Sequence, residues 1–141
     1  MPISPIWSDN LSVDNSHIDA QHKQLIILCA RAADCASATS HETVKEFHNI
    51  LNDLAALADK HFADEEDLLL KNGSPNLKAH IAEHNVYREL VVNLLVDGMA
   101  GLLDRAKLYW VANEYLIKHM LQVDLADKAY LRDQSRQSDI R

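Results

Sequence analysis

Glycine and proline are scarce in this chain, three of each among 141 residues, which argues against a loop-rich all-β fold and leaves a helical protein as the expectation. Cysteine is scarcer still: Cys29 and Cys35 form neither a CxxC pair nor a disulfide framework, the usage of a reducing compartment. Basic charge is in deficit, with 14 Lys and Arg against 21 Asp and Glu for a net −7, so the chain has no electrostatic footprint for nucleic acid or anionic lipid. No apolar run approaches the roughly 20 residues a membrane helix needs, and the opening MPISPIWSDN lacks the charged-then-apolar order of a signal peptide. A cytoplasmic protein is expected. Disorder is excluded as a global description, because 48% of residues are hydrophobic and 25% charged. The length suits one domain, 1–141, with an N-terminal arm over about 1–16 and a polar tail, Asp133 to Arg141. What the chain has in abundance is histidine, eight in all.

Breaks fall after the arm, near 37–41, at Asn72-Gly73-Ser74-Pro75 and near Asp97–Gly101, leaving four long segments and no internal repeat. In the first, Ile18, His22, Leu25, Cys29, Ala32 and Ala36 recur at alternating spacings of four and three, one face of a helix. The second opens with a possible capping box, Thr39-Ser40-His41-Glu42, and carries Val44, Phe47, Leu51, Leu54, Ala58, His61, Glu65 and Leu68 on its stripe. The third is expected to start at Ser74-Pro75, and its stripe is Leu77, His80, His84, Tyr87, Val91 and Leu94. The fourth, with Gly101 near its start, has Leu108, Ala112, Tyr115, His119 and Val123. Four amphipathic helices with short connections pack most simply as an all-α, antiparallel up-down-up-down four-helix bundle.

A lone histidine on an apolar face is usually a hydrogen-bonded core residue. Five, with a glutamate, are another matter: burying His22, His61, Glu65, His80, His84 and His119 costs several kcal/mol per unpartnered group unless something neutralises them. A metal does so. The i, i+4 pairs His61/Glu65 and His80/His84 each present two donors from adjacent turns to one point. Five imidazoles exceed one tetrahedral zinc site, and a carboxylate among them suits a dinuclear centre. Periodicity leaves iron, zinc and manganese all open. Asp124, five residues after His119, falls about 140° round an ideal helix, on the flank of the stripe, where a carboxylate alone reads as solvated. Glu66, about 100° off its stripe, reads as solvated too. His17 precedes the first helical turns, His41 falls at a helix start and His48 is one residue off its stripe; Cys29 and Cys35 have no ligand spacing, Cys29 reads as core, and Trp110 and Phe47 as packing residues. The HxxKG signature of histidine-phosphotransfer bundles and the ExxH pair of ferritin-like di-iron proteins are both missing.

The series His22, His61-x3-Glu65, His80-x3-His84 and His119-x4-Asp124 resembles the hemerythrin pattern at all seven ligand positions, and Ile18-Asp19-Ala20-Gln21-His22-Lys23 is similar to its bacterial branch. The match runs from Trp7-Ser8-Asp9 to Asp124. The resemblance implies two iron ions with an oxo or hydroxo bridge: one on His80, His84 and His119, the other on His22 and His61 with an open position, and Glu65 and Asp124 bridging both. It implies reversible dioxygen binding at that position, without catalysis, by a carrier, store or delivery protein. The alternative is an oxygen or redox sensor module that signals to an effector domain or protein partner. Leu116 and Met120 are expected to line the oxygen position. The chain departs from the family at Tyr115 and Met120, where Trp and Ile are usual, at Leu69, often Met, at Ser74, often aromatic, and at Asp14, often Gly.

Overall fold

The computed structural model describes residues 7–36, 41–102, 104–111 and 117–133. A 3-10 turn at Asp9–Leu11 leads into helices α1 (Ser16–Ala36), α2 (His41–Lys71) and α3 (Leu77–Met99). Then come α4 (Arg105–Tyr109), α5 (Ile117–His119) running into a π turn (Met120–Asp124), and α6 (Lys128–Leu131). No strand occurs among the described residues. Asn15 starts α1, its Oδ1 accepting the otherwise orphaned amides of His17 and Ile18 at 3.1 and 3.2 Å. Asp104 starts α4 in the same way, accepting from the Lys107 amide at 3.0 Å.

Contacts between helices fix their directions. Near the start of α1, His17 and His22 meet Asp64 and His61 toward the end of α2. Gly98 at the end of α3 lies against Phe47 and His48 at the start of α2, whereas Phe62 stacks on His84 nearer the other ends. Lys107 reaches back to Asp97, and Asp124 to His80. The chain therefore runs up, down, up and down, as its patterning predicts.

The buried side chains follow the expected stripes, from Ile18 to Ala32 on α1, Phe47 to Glu65 on α2 and His80 to Leu94 on α3. On the fourth stripe Leu108 and His119 are buried and Val123 is half-buried; Ala112 and Tyr115 lie outside the described residues. Among the described residues the buried apolar side chains form two clusters. The larger includes Leu25, Leu54, Phe62, Tyr87 and Met120; the smaller joins Val13, Ile18, Leu69 and Leu131. His22, His61, Glu65, His80 and His84 fall in sequence between members of the two clusters on each helix, so a polar layer is sealed by apolar side chains above and below.

Two local expectations differ from what is found, and a third position shows what its departure from the family does. The third helix begins at Leu77, not at Ser74-Pro75: Ser74 Oγ accepts the Asn76 amide at 3.1 Å, which stabilises a turn ahead of the helix. Trp110 is 48% exposed and is no core residue. Asp14, where the resemblance puts Gly, has φ +58°, in the left-handed region that favours glycine. Its carbonyl accepts from the Asp133 amide at 2.9 Å and its carboxylate pairs with Lys128 at 3.2 Å, tying the arm to α6.

Candidate metal centre

Five imidazoles and two carboxylates converge inside this bundle, each between 0 and 7% exposed. They form two groups of mutually close donor atoms: Glu65, His80, His84, His119 and Asp124 in one, His22, His61 and Glu65 in the other. Glu65 belongs to both. Its Oε1 is 3.0 Å from His61 Nε2 and 3.2 Å from His84 Nε2. Asp124 spans the groups as well, with Oδ1 2.9 Å from His80 Nε2 and 3.2 Å from His119 Nε2, and Oδ2 3.2 Å from His22 Nε2. Two donors at right angles about 2.1 Å from one cation would stand about 3 Å apart, so this spacing suits ligation.

The position of Asp124 corrects the ideal-helix reading that puts it on the flank. Met120–Asp124 is a π turn, closed by the Leu125 amide on the Met120 carbonyl at 3.1 Å, and its wider repeat returns the fifth residue to the face of His119.

Whether the donors need a cation is decided by their hydrogen bonds. His22 Nε2, His80 Nε2, His84 Nε2, both Glu65 oxygens and both Asp124 oxygens are buried with no hydrogen-bond partner of good geometry. Such a set is costly in a low-dielectric interior and fits a cation in its midst. Without metal the charges lean on one another. Burial lowers the His80 pKa, but its contact with Asp124 and the charges of Glu65 and Asp124 outweigh burial and lift it to about 9. His22 is raised in the same way against its burial, whereas burial wins at His61 and lowers it. Burial and Asp124 push Glu65 up, yet the His61 and His84 contacts bring it down to about 2. Asp124, despite its burial, is held well below the usual carboxylate range by His119, His22 and His80.

The outer nitrogens are held by residues whose role the sequence reading missed. His80 Nδ1 donates to Asp127 Oδ2, His84 Nδ1 to Glu66 Oε2 and His61 Nδ1 to Gln21 Oε1, each at 2.7 Å. These bonds leave each Nε2 as the inward donor. Glu66 is thus not merely solvated: it also meets Arg88 Nη1 at 3.3 Å. Gln21 Nε2 in turn donates to Asp64 Oδ2 at 2.8 Å, and His17 Nε2 reaches the same oxygen at 3.0 Å, so His17 belongs to the network. The available signal was adjacency, since Gln21 precedes His22, Glu66 follows Glu65 and Asp127 is one turn beyond Asp124. Met120 is fully buried in the larger apolar cluster. Leu116, the other residue expected beside the oxygen position, lies outside the described residues.

A helical bundle enclosing two histidine groups that share a carboxylate defines a cation-binding protein of the dinuclear kind. The chain belongs to the hemerythrin family: the Hemerythrin HHE cation binding domain matches residues 13–129. This is a family of di-iron, oxygen-binding proteins. The chain is 24% identical over 115 residues to a bacteriohemerythrin of Campylobacter jejuni, covering 81% of this chain and 85% of that one. It is 24% identical over 131 residues to a myohemerythrin of Riftia pachyptila, covering 93% and 97%. The crystal structure of a hemerythrin point mutant superposes with a TM-score of 0.82 at 23% identity, over 94% of this chain and all of that one, and so shares the fold. No helix among the described residues is long and apolar enough to cross a membrane.

Proposed function

We propose that the whole chain, 1–141, acts as one domain that holds two iron ions and binds dioxygen reversibly, as a carrier, store or delivery protein and not as an enzyme. His80, His84 and His119 hold one ion and His22 and His61 the other, with Glu65 and Asp124 shared. The observation that carries this reading is the uneven division of five imidazoles around two common carboxylates, which leaves the His22/His61 side one protein ligand short. When bound, the iron pair supplies electrons and an open coordination position for dioxygen. The chain's own contribution is threefold. Neutral imidazoles ligate without adding negative charge. Gln21, Glu66 and Asp127 orient the rings. Apolar residues, Met120 and Phe62 among them, keep water from the centre.

Anaerobic reduction followed by exposure to air, watched by visible absorption, tests the reading. The spectrum should change on exposure and revert when oxygen is removed, in a protein with two irons per chain by metal analysis. One zinc per chain would sink the di-iron assignment. Two irons without a reversible adduct would remove the carrier and leave the redox-sensor alternative.

A further inference from the structure

We propose that the two halves of the centre hold their metals with unequal strength, because carboxylates stand behind the His80/His84/His119 group and, among the described residues, none contacts the outer ring nitrogens of His22 and His61. The inference rests on the two-metal reading above and adds an order of affinity to it. Behind the first group, His80 Nδ1 faces Asp127 and His84 Nδ1 faces Glu66 at 2.7 Å, and His119 Nδ1 lies 3.8 Å from Glu83 Oε2. Behind the second, His61 Nδ1 meets the neutral amide of Gln21, and His22 Nδ1 is buried without a hydrogen-bond partner among the described residues. Asp19, on the same helix as His22, is taken up by Ser12 Oγ and the Val13 amide at 2.6 and 3.0 Å. Asp64 is one residue removed, behind Gln21.

An imidazole whose Nδ1–H donates to a carboxylate is a more basic ligand through Nε2, and the carboxylate's charge adds attraction for the cation. Asp127 contributes most. It is 2% exposed, and its other oxygen accepts only from the Asn76 amide at 3.0 Å, whereas Glu66 is shared with Arg88. The His80/His84/His119 group therefore binds its metal more tightly, and the His22/His61 metal leaves first.

The iron-loaded, full-length chain is dialysed against graded concentrations of a chelator, and iron per chain is measured beside the circular dichroism. The expected curve has a plateau at one iron per chain. Asp127→Asn keeps size and an acceptor oxygen, so a merely structural role would leave the curve unchanged. Loss of the charge should instead lower the chelator concentration that removes the last iron by about 10–100-fold. The swap Gln21→Glu with Asp64→Asn gives His61 a carboxylate and should raise the concentration that removes the first iron by about tenfold. His61→Ala should retain one iron as firmly as the plateau form does. Two irons that leave together overturn the inequality, and a plateau that Asp127→Asn does not move overturns its assignment to the outer carboxylates; neither result touches the two-metal reading. A wild-type protein with fewer than two irons overturns the two-metal reading and the inequality with it.

Discussion

Glu65 faces four imidazoles at once, with His61 and His84 at 3.0 and 3.2 Å and His22 and His80 at 3.9 and 4.0 Å. A single carboxylate in that position supplies negative charge to both halves of the centre, so its charge and not its bulk is what the site requires. Glu65→Gln preserves size and helix propensity, and should weaken metal binding by more than about 100-fold, beyond the loss of an outer hydrogen-bond partner. Metal analysis after gel filtration checks it: iron per chain should fall below that of wild type. Glu66 is no neutral control for this experiment, since it holds His84. Asp67→Asn is, because Asp67 is exposed and pairs only with Lys71 across a turn of α2. Cys29 shows the opposite outcome of burial. Burial outweighs the Tyr87 hydroxyl 4.0 Å away, pushes its thiol up to about 12 and leaves it an inert core residue, as its place on the stripe implies.

Among the helices, what the sequence makes legible is whatever repeats every three or four residues. Ile18 to Ala32 and His80 to Leu94 are both periodic and buried, and the i, i+4 pairs of ligands lie on the same stripes for the same geometric reason. Asp124 escapes that reading because the π turn changes the repeat locally, and only the family resemblance recovers it. Glu66 and Gln21 escape it because they sit on the seams between helices, where a side chain 100° off one stripe meets a neighbouring element that periodicity does not locate. Gly98 marks another such seam. A Cβ there would lie 3.1 Å from the His48 ring and 3.5 Å from Phe47, so the α2 side chains pack directly over the missing side chain of α3. Alanine is favoured over glycine inside a helix by about 1 kcal/mol. Gly98→Ala should realise that gain only when His48→Ala has cleared the contact, and less of it in the wild-type background. A double-mutant cycle in urea measures the difference. Equal gains in both backgrounds would show that the His48 ring moves aside without cost.

For the molecule as a whole, a four-helix bundle closed around two ionised carboxylates needs cations in its centre, and either metals or protons can serve. In the metal-free chain His22 and His80 are the histidines whose hold on a proton is strengthened, both raised above the ordinary histidine value by Asp124 and Glu65 against the opposing effect of burial. A group whose folded pKa lies above its unfolded one stabilises the fold below the unfolded value and ceases to do so as pH rises through the folded one. For His80 the window runs from 6.5 to about 9, a change on the order of 3 kcal/mol. Glu65 works in the other direction: its contribution is present above 4.5 and is lost as pH falls toward about 2. Metal-free protein should therefore lose stability as pH is raised from 6.5 to about 9. Iron-loaded protein, whose carboxylates are neutralised by metal instead of by protons, should not lose stability over the same interval. Urea midpoints of chelator-treated and iron-loaded chains at the two ends of that window make the comparison. Equal midpoints in the metal-free chain would mean that protonated histidines do not compensate Glu65 and Asp124. A parallel alkaline loss in both forms would trace the effect to groups outside the centre, since only those titrate alike with and without metal.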